Sequence, residues 1–132
     1  MIVRSLEDII GTDRDIAAET WSSRRLLLAS DGTAFSLHDT IVHAGTETSM
    51  WYRHHVEAVY CIEGEGEIDD VEEARTYVVK PGTMYVLDKH DTHVLRAKTR
   101  LRLVCVFAPP LEGHEAHDEC GGYPPADSTS LG

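Results

Sequence analysis

Between Thr20 and Pro109 the chain alternates between short apolar-polar runs and turn signals, and nothing in that span is long and periodic enough for an extended helix. The clearest run places Leu101, Leu103, Cys105 and Phe107 on one face and Arg100, Arg102, Val104 and Val106 on the other, the two-residue period of a strand with one side in a core. Residues 56–62 form a β-branched and aromatic strand closed by Glu63-Gly-Glu-Gly66, whose two glycines permit a tight turn. Residues 20–28 put Trp21, Ser23, Arg25 and Leu27 on one face, and Asp31-Gly32 turns that strand into residues 35–43, where His38, Thr40 and Val42 share a side. Further strands are expected over residues 47–52, near Glu67, and over residues 76–79, 83–87 and 93–98, with Lys80-Pro-Gly82 ending one of them. Helix signal is confined to the start: Ser5 can cap a turn that Gly11 ends, and a second turn is expected over residues 13–19. About nine or ten short strands at this spacing predict an all-β domain, a small antiparallel barrel or jelly roll whose mouth can hold one small ligand.

A chain of 132 residues suits one domain with one core. The domain is expected over residues 1–124, with a flexible Gly-, Pro- and Ser-rich tail over 125–132. The formal charge of -11 disfavours a nucleic-acid partner. No apolar run approaches the roughly 18 residues of a membrane span, and the amino terminus has no export signal, so a cytoplasmic location is expected. Cys61, Cys105 and Cys120 are odd in number and widely spaced, which suggests reduced thiols.

Glu57 opens the apolar strand after the polar run Trp51-Tyr-Arg-His-His55. A carboxylate there must find a partner or do chemistry, because an unpaired buried charge is costly. Around it, Gly45, Trp51, Arg53, Glu57 and Gly64 have the spacing of the first cupin motif, and Gly82, Asp88, His90 and His93 that of the second. Trp51 and Arg53 stand where cupins usually carry two metal-binding histidines, so a plain three-histidine site is excluded. Longer runs, among them Glu19-Thr-Trp-Ser-Ser-Arg-Arg-Leu-Leu-Leu28, Glu57-Ala-Val-Tyr-Cys-Ile-Glu-Gly-Glu-Gly-Glu67 and Leu103-Val-Cys-Val-Phe-Ala-Pro-Pro110, resemble the ectoine synthase family of cupins.

That resemblance implies a cytoplasmic, dimeric, iron(II)-dependent hydro-lyase that closes N-gamma-acetyl-L-2,4-diaminobutyrate into ectoine with loss of water. It implies Glu57, Tyr85 and His93 as metal ligands, although Tyr85 by itself reads as a packing tyrosine. Two oxygen donors and one imidazole suit iron(II) and leave coordination positions open. It also implies a substrate lining of Trp21, Ser23, Arg25, His38, Thr40, Tyr52, Cys105 and Phe107, together with Glu115 and His117. The alternation found above is consistent with this, since it groups Trp21 with Ser23 and Arg25, His38 with Thr40, and Cys105 with Phe107. Arg25 is the expected fork for a substrate carboxylate, and Arg24 beside it reads as a solvated arginine.

Ring closure requires deprotonation of an amine and activation of an acetamide carbonyl. Tyr52, Glu115 and His117 are candidates for proton transfer, and His55 has the parity of Glu57. The segment after Pro110 is expected to close over the barrel mouth. The rival readings are a cupin iron oxygenase and a cupin that binds a small ligand without turnover.

Overall fold

The computed structural model describes residues 1–89, 91–115 and 123. Ten strands account for most of it: β1 (Asp15–Ala17), β2 (Trp21–Leu27), β3 (Ser36–Val42), β4 (Glu47–Met50), β5 (Val56–Glu63), β6 (Gly66–Asp70), β7 (Arg75–Val79), β8 (Met84–Leu87), β9 (His93–Ala97) and β10 (Leu101–Ala108). They form a six-stranded sheet in the order β1-β2-β3-β10-β5-β8 and a four-stranded sheet in the order β4-β9-β6-β7. Every strand pairing among the described residues is antiparallel. The all-β expectation is met by two open sheets, in the manner of a jelly roll, and they do not join into one closed barrel.

Ser5 does precede a helical turn, a 3-10 turn over Leu6–Asp8, and its backbone N–H donates to Asp8 at 2.9 Å. The second expected turn is absent. Its centre is β1, which pairs Ile16 with Ser23, because a hairpin edge satisfies backbone groups that one isolated helical turn leaves unpaired. Asp31 fastens this region by accepting hydrogen bonds from Arg4 at 2.7 Å, Arg14 at 3.1 Å and the Leu28 N–H at 2.9 Å.

The strand β10 lies between β3 and β5, so residues far apart in sequence fall into rows across the inner face. One row reads Arg25, His38, Cys105, Val59 and Tyr85. A second reads Ser36, Phe107, Glu57 and Leu87. The alternation of β10 is realised in full, with Leu101, Leu103, Cys105 and Phe107 buried. In β2 it holds through Arg25 and then slips, since a register shift before Leu27 turns Leu28 into the core. The opposing sheet contributes Met50, Ile68, Leu95 and Ala97 to the same core. Each buried Leu, Ile, Met or Phe among these stabilises the fold by about 1.5–3 kcal/mol.

Arg24 is not solvated. It bonds the buried carboxylate of Asp39 on the neighbouring strand, and Arg102 donates to the same carboxylate at 2.8 Å. The strand expected near Glu67 is β6, which runs on through Asp69 and Asp70, and Arg96 of β9 donates to Asp69 at 2.6 Å. The glycines flanking Glu65 are required for close approach as well as for turning: Gly64 has φ +91°, and a side chain on either glycine would run into a backbone carbonyl oxygen, of Arg100 or of Arg96.

A candidate active site between the sheets

A cavity of about 40 Å³ lies between the sheets, room for two or three waters. Trp21, Ser23, Thr40, Tyr52, Cys105 and Phe107 line it, as do Glu57 and Tyr85. Arg25 and His38 are buried beside this wall, in the row that passes through Cys105. Three strands of independent parity thus bring seven of the eight expected lining residues together, aligned by the register of β10, and Tyr52 joins them from the segment between β4 and β5.

Glu57 is buried, and removal from water raises its pKa to about 8, with a hydrogen bond from Cys105 acting weakly in the other direction. Burial also raises the Tyr85 phenol well above its ordinary value, with Glu57 adding to the effect. His93 stands on the facing sheet. Its Nδ1 is 3.0 Å from the Asp91 carbonyl oxygen and must donate to it, which leaves Nε2 with a bare lone pair. That Nε2 is buried and has no hydrogen-bond partner among the described residues. The arrangement is the one a metal-binding imidazole uses, with the outer N–H fixed by a carbonyl and the inner nitrogen free.

Tyr85 joins the two parts, since it lines the main cavity with Glu57 and an adjoining cavity with His93. Among the described residues no three His, Cys, Asp or Glu side chains gather closely enough to hold a metal. Of the described residues, Tyr85 is the side chain placed to complete a ligand set with Glu57 and His93. The donor set fits a metal ion: a buried carboxylate, a phenol and an imidazole nitrogen without a hydrogen-bond partner among the described residues, hard enough for iron(II).

Of the expected proton-transfer residues, Tyr52 lines the cavity, Glu115 and His55 are buried nearby, and His117 lies outside the described residues. Burial first, and then the neighbouring Tyr123 and Glu57, raise the Tyr52 pKa well above the usual phenol value. Tyr52 is a neutral donor. Both ring nitrogens of His55 lack hydrogen-bond partners among the described residues, and burial lowers its pKa, so the ring is neutral. Glu115 is an anchored carboxylate: its oxygens accept the N–H groups of Glu112 and Gly113, each at 2.7 Å. Burial pushes its pKa up, but these amides and Arg25 outweigh that and hold it below the ordinary value.

Glu115 also covers Arg25, whose Nη2 donates to the Glu115 carbonyl oxygen at 2.6 Å and whose Nη1 lies 3.7 Å from the Glu115 carboxylate. Sequence reading missed Tyr123, which is buried, stacks on Tyr52 at 5.2 Å and lies over Arg25 at 5.7 Å. The available signal was a single aromatic residue between glycines and prolines in an otherwise polar tail. Ser36 was missed as well, although it shares the parity of His38.

Two antiparallel sheets around a mostly apolar cavity with a few polar side chains in its wall define a single-domain cupin. The cupin domain of Schizosaccharomyces pombe Cnp3 superposes with a TM-score of 0.57 over 67% of this chain and 64% of that one, a likeness of fold alone at 16% identity. The ectoine synthase family model matches residues 1–127. The L-ectoine synthase of Desulfatibacillum aliphaticivorans is 61% identical over 129 residues, covering 96% of this chain and 99% of that protein. The crystal structure of ectoine synthase from P. lautus matches with a TM-score of 0.86 and 60% identity over 92% of this chain and 87% of that one. The chain belongs to the ectoine synthase family. No described helix is long and apolar enough to cross a membrane.

Proposed function

We propose that this protein closes N-gamma-acetyl-L-2,4-diaminobutyrate to ectoine with elimination of water, and that it does so with iron(II) held by Glu57, Tyr85 and His93. The observation that carries this reading is the near full-length match to L-ectoine synthase in a chain whose Glu57, Tyr85 and Tyr52 line a cavity between the sheets.

The substrate's amine forms the new C–N bond with the acetamide carbon, and the carbonyl oxygen leaves as water after gaining two protons. When bound, iron(II) supplies Lewis-acid polarisation of a carbonyl oxygen. The substrate carboxylate is assigned to Arg25, whose Nη1 has no hydrogen-bond partner among the described residues. Trp21 and Phe107 give the acetyl methyl group an apolar wall. Tyr52, neutral and on the cavity wall, is the proton donor to the departing oxygen. Glu115, held below the usual carboxylate range, is a weak base and serves instead to hold the segment over Arg25. The amine's proton falls to His55 or His117. Holding the two ends of the substrate in a curled conformer favours ring closure through proximity.

A homodimer and a cytoplasmic location belong to the same reading. Tyr60, Met84 and Val86 are exposed on one face beside β8, the outer strand of its sheet, which supports association of two copies there. Cys61 and Cys105 are free, buried thiols, which supports a reducing compartment.

The test is conversion of the acetylated diamine by metal-stripped protein, before and after anaerobic addition of iron(II). Ring closure that returns with iron and consumes no oxygen supports the reading. Oxygen uptake would favour an oxygenase, and binding without turnover would leave a ligand-binding cupin.

A further inference from the structure

Ser36 is wholly buried, and its hydroxyl oxygen accepts the backbone N–H of Leu111 at 3.0 Å. On its other side lies Nε2 of His38, at 2.8 Å. A backbone N–H can only donate, so the Ser36 proton must find an acceptor elsewhere. Among the described residues that acceptor is His38 Nε2. The opposite assignment, with a proton on Nε2, would make Ser36 accept twice and bury its own hydroxyl proton unused, an arrangement native interiors avoid.

His38 is therefore protonated on Nδ1. Burial keeps the ring neutral, with Arg25 and His55 acting in the same sense. Nδ1 lies 3.1 Å from Ser23 Oγ and donates to it. Arg25 Nε donates to the same oxygen at 3.3 Å. With both lone pairs of Ser23 engaged, its hydroxyl proton is left for the cavity that Ser23 lines. Arg25 Nη1, also a pure donor, lacks a hydrogen-bond partner among the described residues.

We propose that the Leu111 N–H, Ser36 and His38 form a one-way hydrogen-bond relay that makes the Ser23 hydroxyl a donor to the cavity, so that Ser23 and Arg25 together recognise the carboxylate of the substrate. This rests on the substrate named above and deepens it, because it fixes which end lies where: the carboxylate toward Arg25, the acetamide toward Glu57 and Tyr85. The relay also links substrate recognition to chain docking, since Leu111 begins the segment that carries Glu115. Without the Leu111 N–H, Ser36 can accept from Nε2 of a ring protonated there, and Ser23 then turns its proton to Nδ1 and shows the cavity a lone pair. Ser36 and His38 are positioning residues in this scheme.

The relay is tested without turnover. Long-range proton-nitrogen correlation spectra of histidine-labelled protein, with the His38 signals assigned through His38→Asn, are expected to show a neutral ring protonated at Nδ1. An Nε2-protonated or charged ring overturns the proposal. Ser36→Ala, which removes the donor to Nε2, is expected to loosen the preference for the Nδ1-protonated ring and to weaken substrate binding by calorimetry about tenfold or more, with Ser36→Thr restoring both. An Nδ1-protonated ring with unchanged affinity in Ser36→Ala would overturn the recognition role. If the wild type shows the expected ring but neither binds nor cyclises the acetylated diamine, the function assigned above fails while the relay itself stands.

Discussion

Arg25 Nη2 donates to the carbonyl oxygen of Glu115, ninety residues further along the chain, at 2.6 Å. A side chain from the second strand is thereby closed in by the segment that follows the last one. Because Glu115 also accepts from Glu112 and Gly113, its carboxylate holds its own turn in place. Glu115→Ala is expected to speed hydrogen exchange at the Glu112 and Gly113 amides by roughly ten- to a hundredfold, the scale of one lost charge-assisted bond. Truncation before Glu112 is expected to abolish most turnover. Unchanged exchange and full turnover would show that the segment is not a cover.

Tyr123 stacks on Tyr52 with its ring plane 12° from parallel, and meets Phe107 edge to face at 5.3 Å. Each aromatic contact of this kind contributes about 0.5–1.5 kcal/mol beyond area burial. Tyr123→Ala is expected to raise KM roughly tenfold, and Tyr123→Phe, which keeps the ring, to raise it less. Equal KM values for Tyr123→Ala and wild type would remove Tyr123 from the cavity wall.

Loss of Glu57, Tyr85 or His93 is expected to weaken iron binding by more than about tenfold, the effect that loss of even an outer partner produces. Metal content of Glu57→Ala, Tyr85→Phe and His93→Ala after dialysis against a fixed iron(II) concentration measures this. Retention of full iron by Tyr85→Phe would return Tyr85 to a packing role.

His38 has its pKa lowered by burial from 6.5 to about 3. Between those values the unfolded chain binds a proton at this site that the folded chain does not, so acid favours unfolding. Stability is expected to decline as pH falls below 6.5, and the decline should be shallower in His38→Asn. Urea midpoints measured across that range decide it, and parallel curves for the two proteins would contradict the assignment.

Gly66→Ala places a methyl group against the Arg96 carbonyl oxygen, backbone that cannot swing away. The expected cost is at least about 3 kcal/mol, beyond ordinary overpacking, since a strand pairing must shift. A urea midpoint matching the wild type would show that the β6–β9 pair tolerates it.

Much of the site was legible because a strand has a period of two. Trp21, Ser23 and Arg25 share a face whatever they pack against, and so do Cys105 and Phe107. The turn residues punctuated the strands for local reasons, and the positive φ of Gly64 is the kind of constraint a sequence shows directly. Residues 13–19 were misread because their polar pattern is weak and pairing with β2 outweighed local preference.

Sequence by itself determined most of the strands and their faces and the family motifs, since each depends on residues close together along the chain. Tertiary structure alone decided that β10 runs between β3 and β5, aligning Arg25, His38, Cys105, Val59 and Tyr85 in one row. It alone decided that Asp39 binds Arg24, and that Glu115 and Tyr123 return from beyond the last strand to close over Arg25. These are long-range pairings. Their free energy lies in buried charge and aromatic contact that exist only once the two sheets have met, and local pattern carries no record of them.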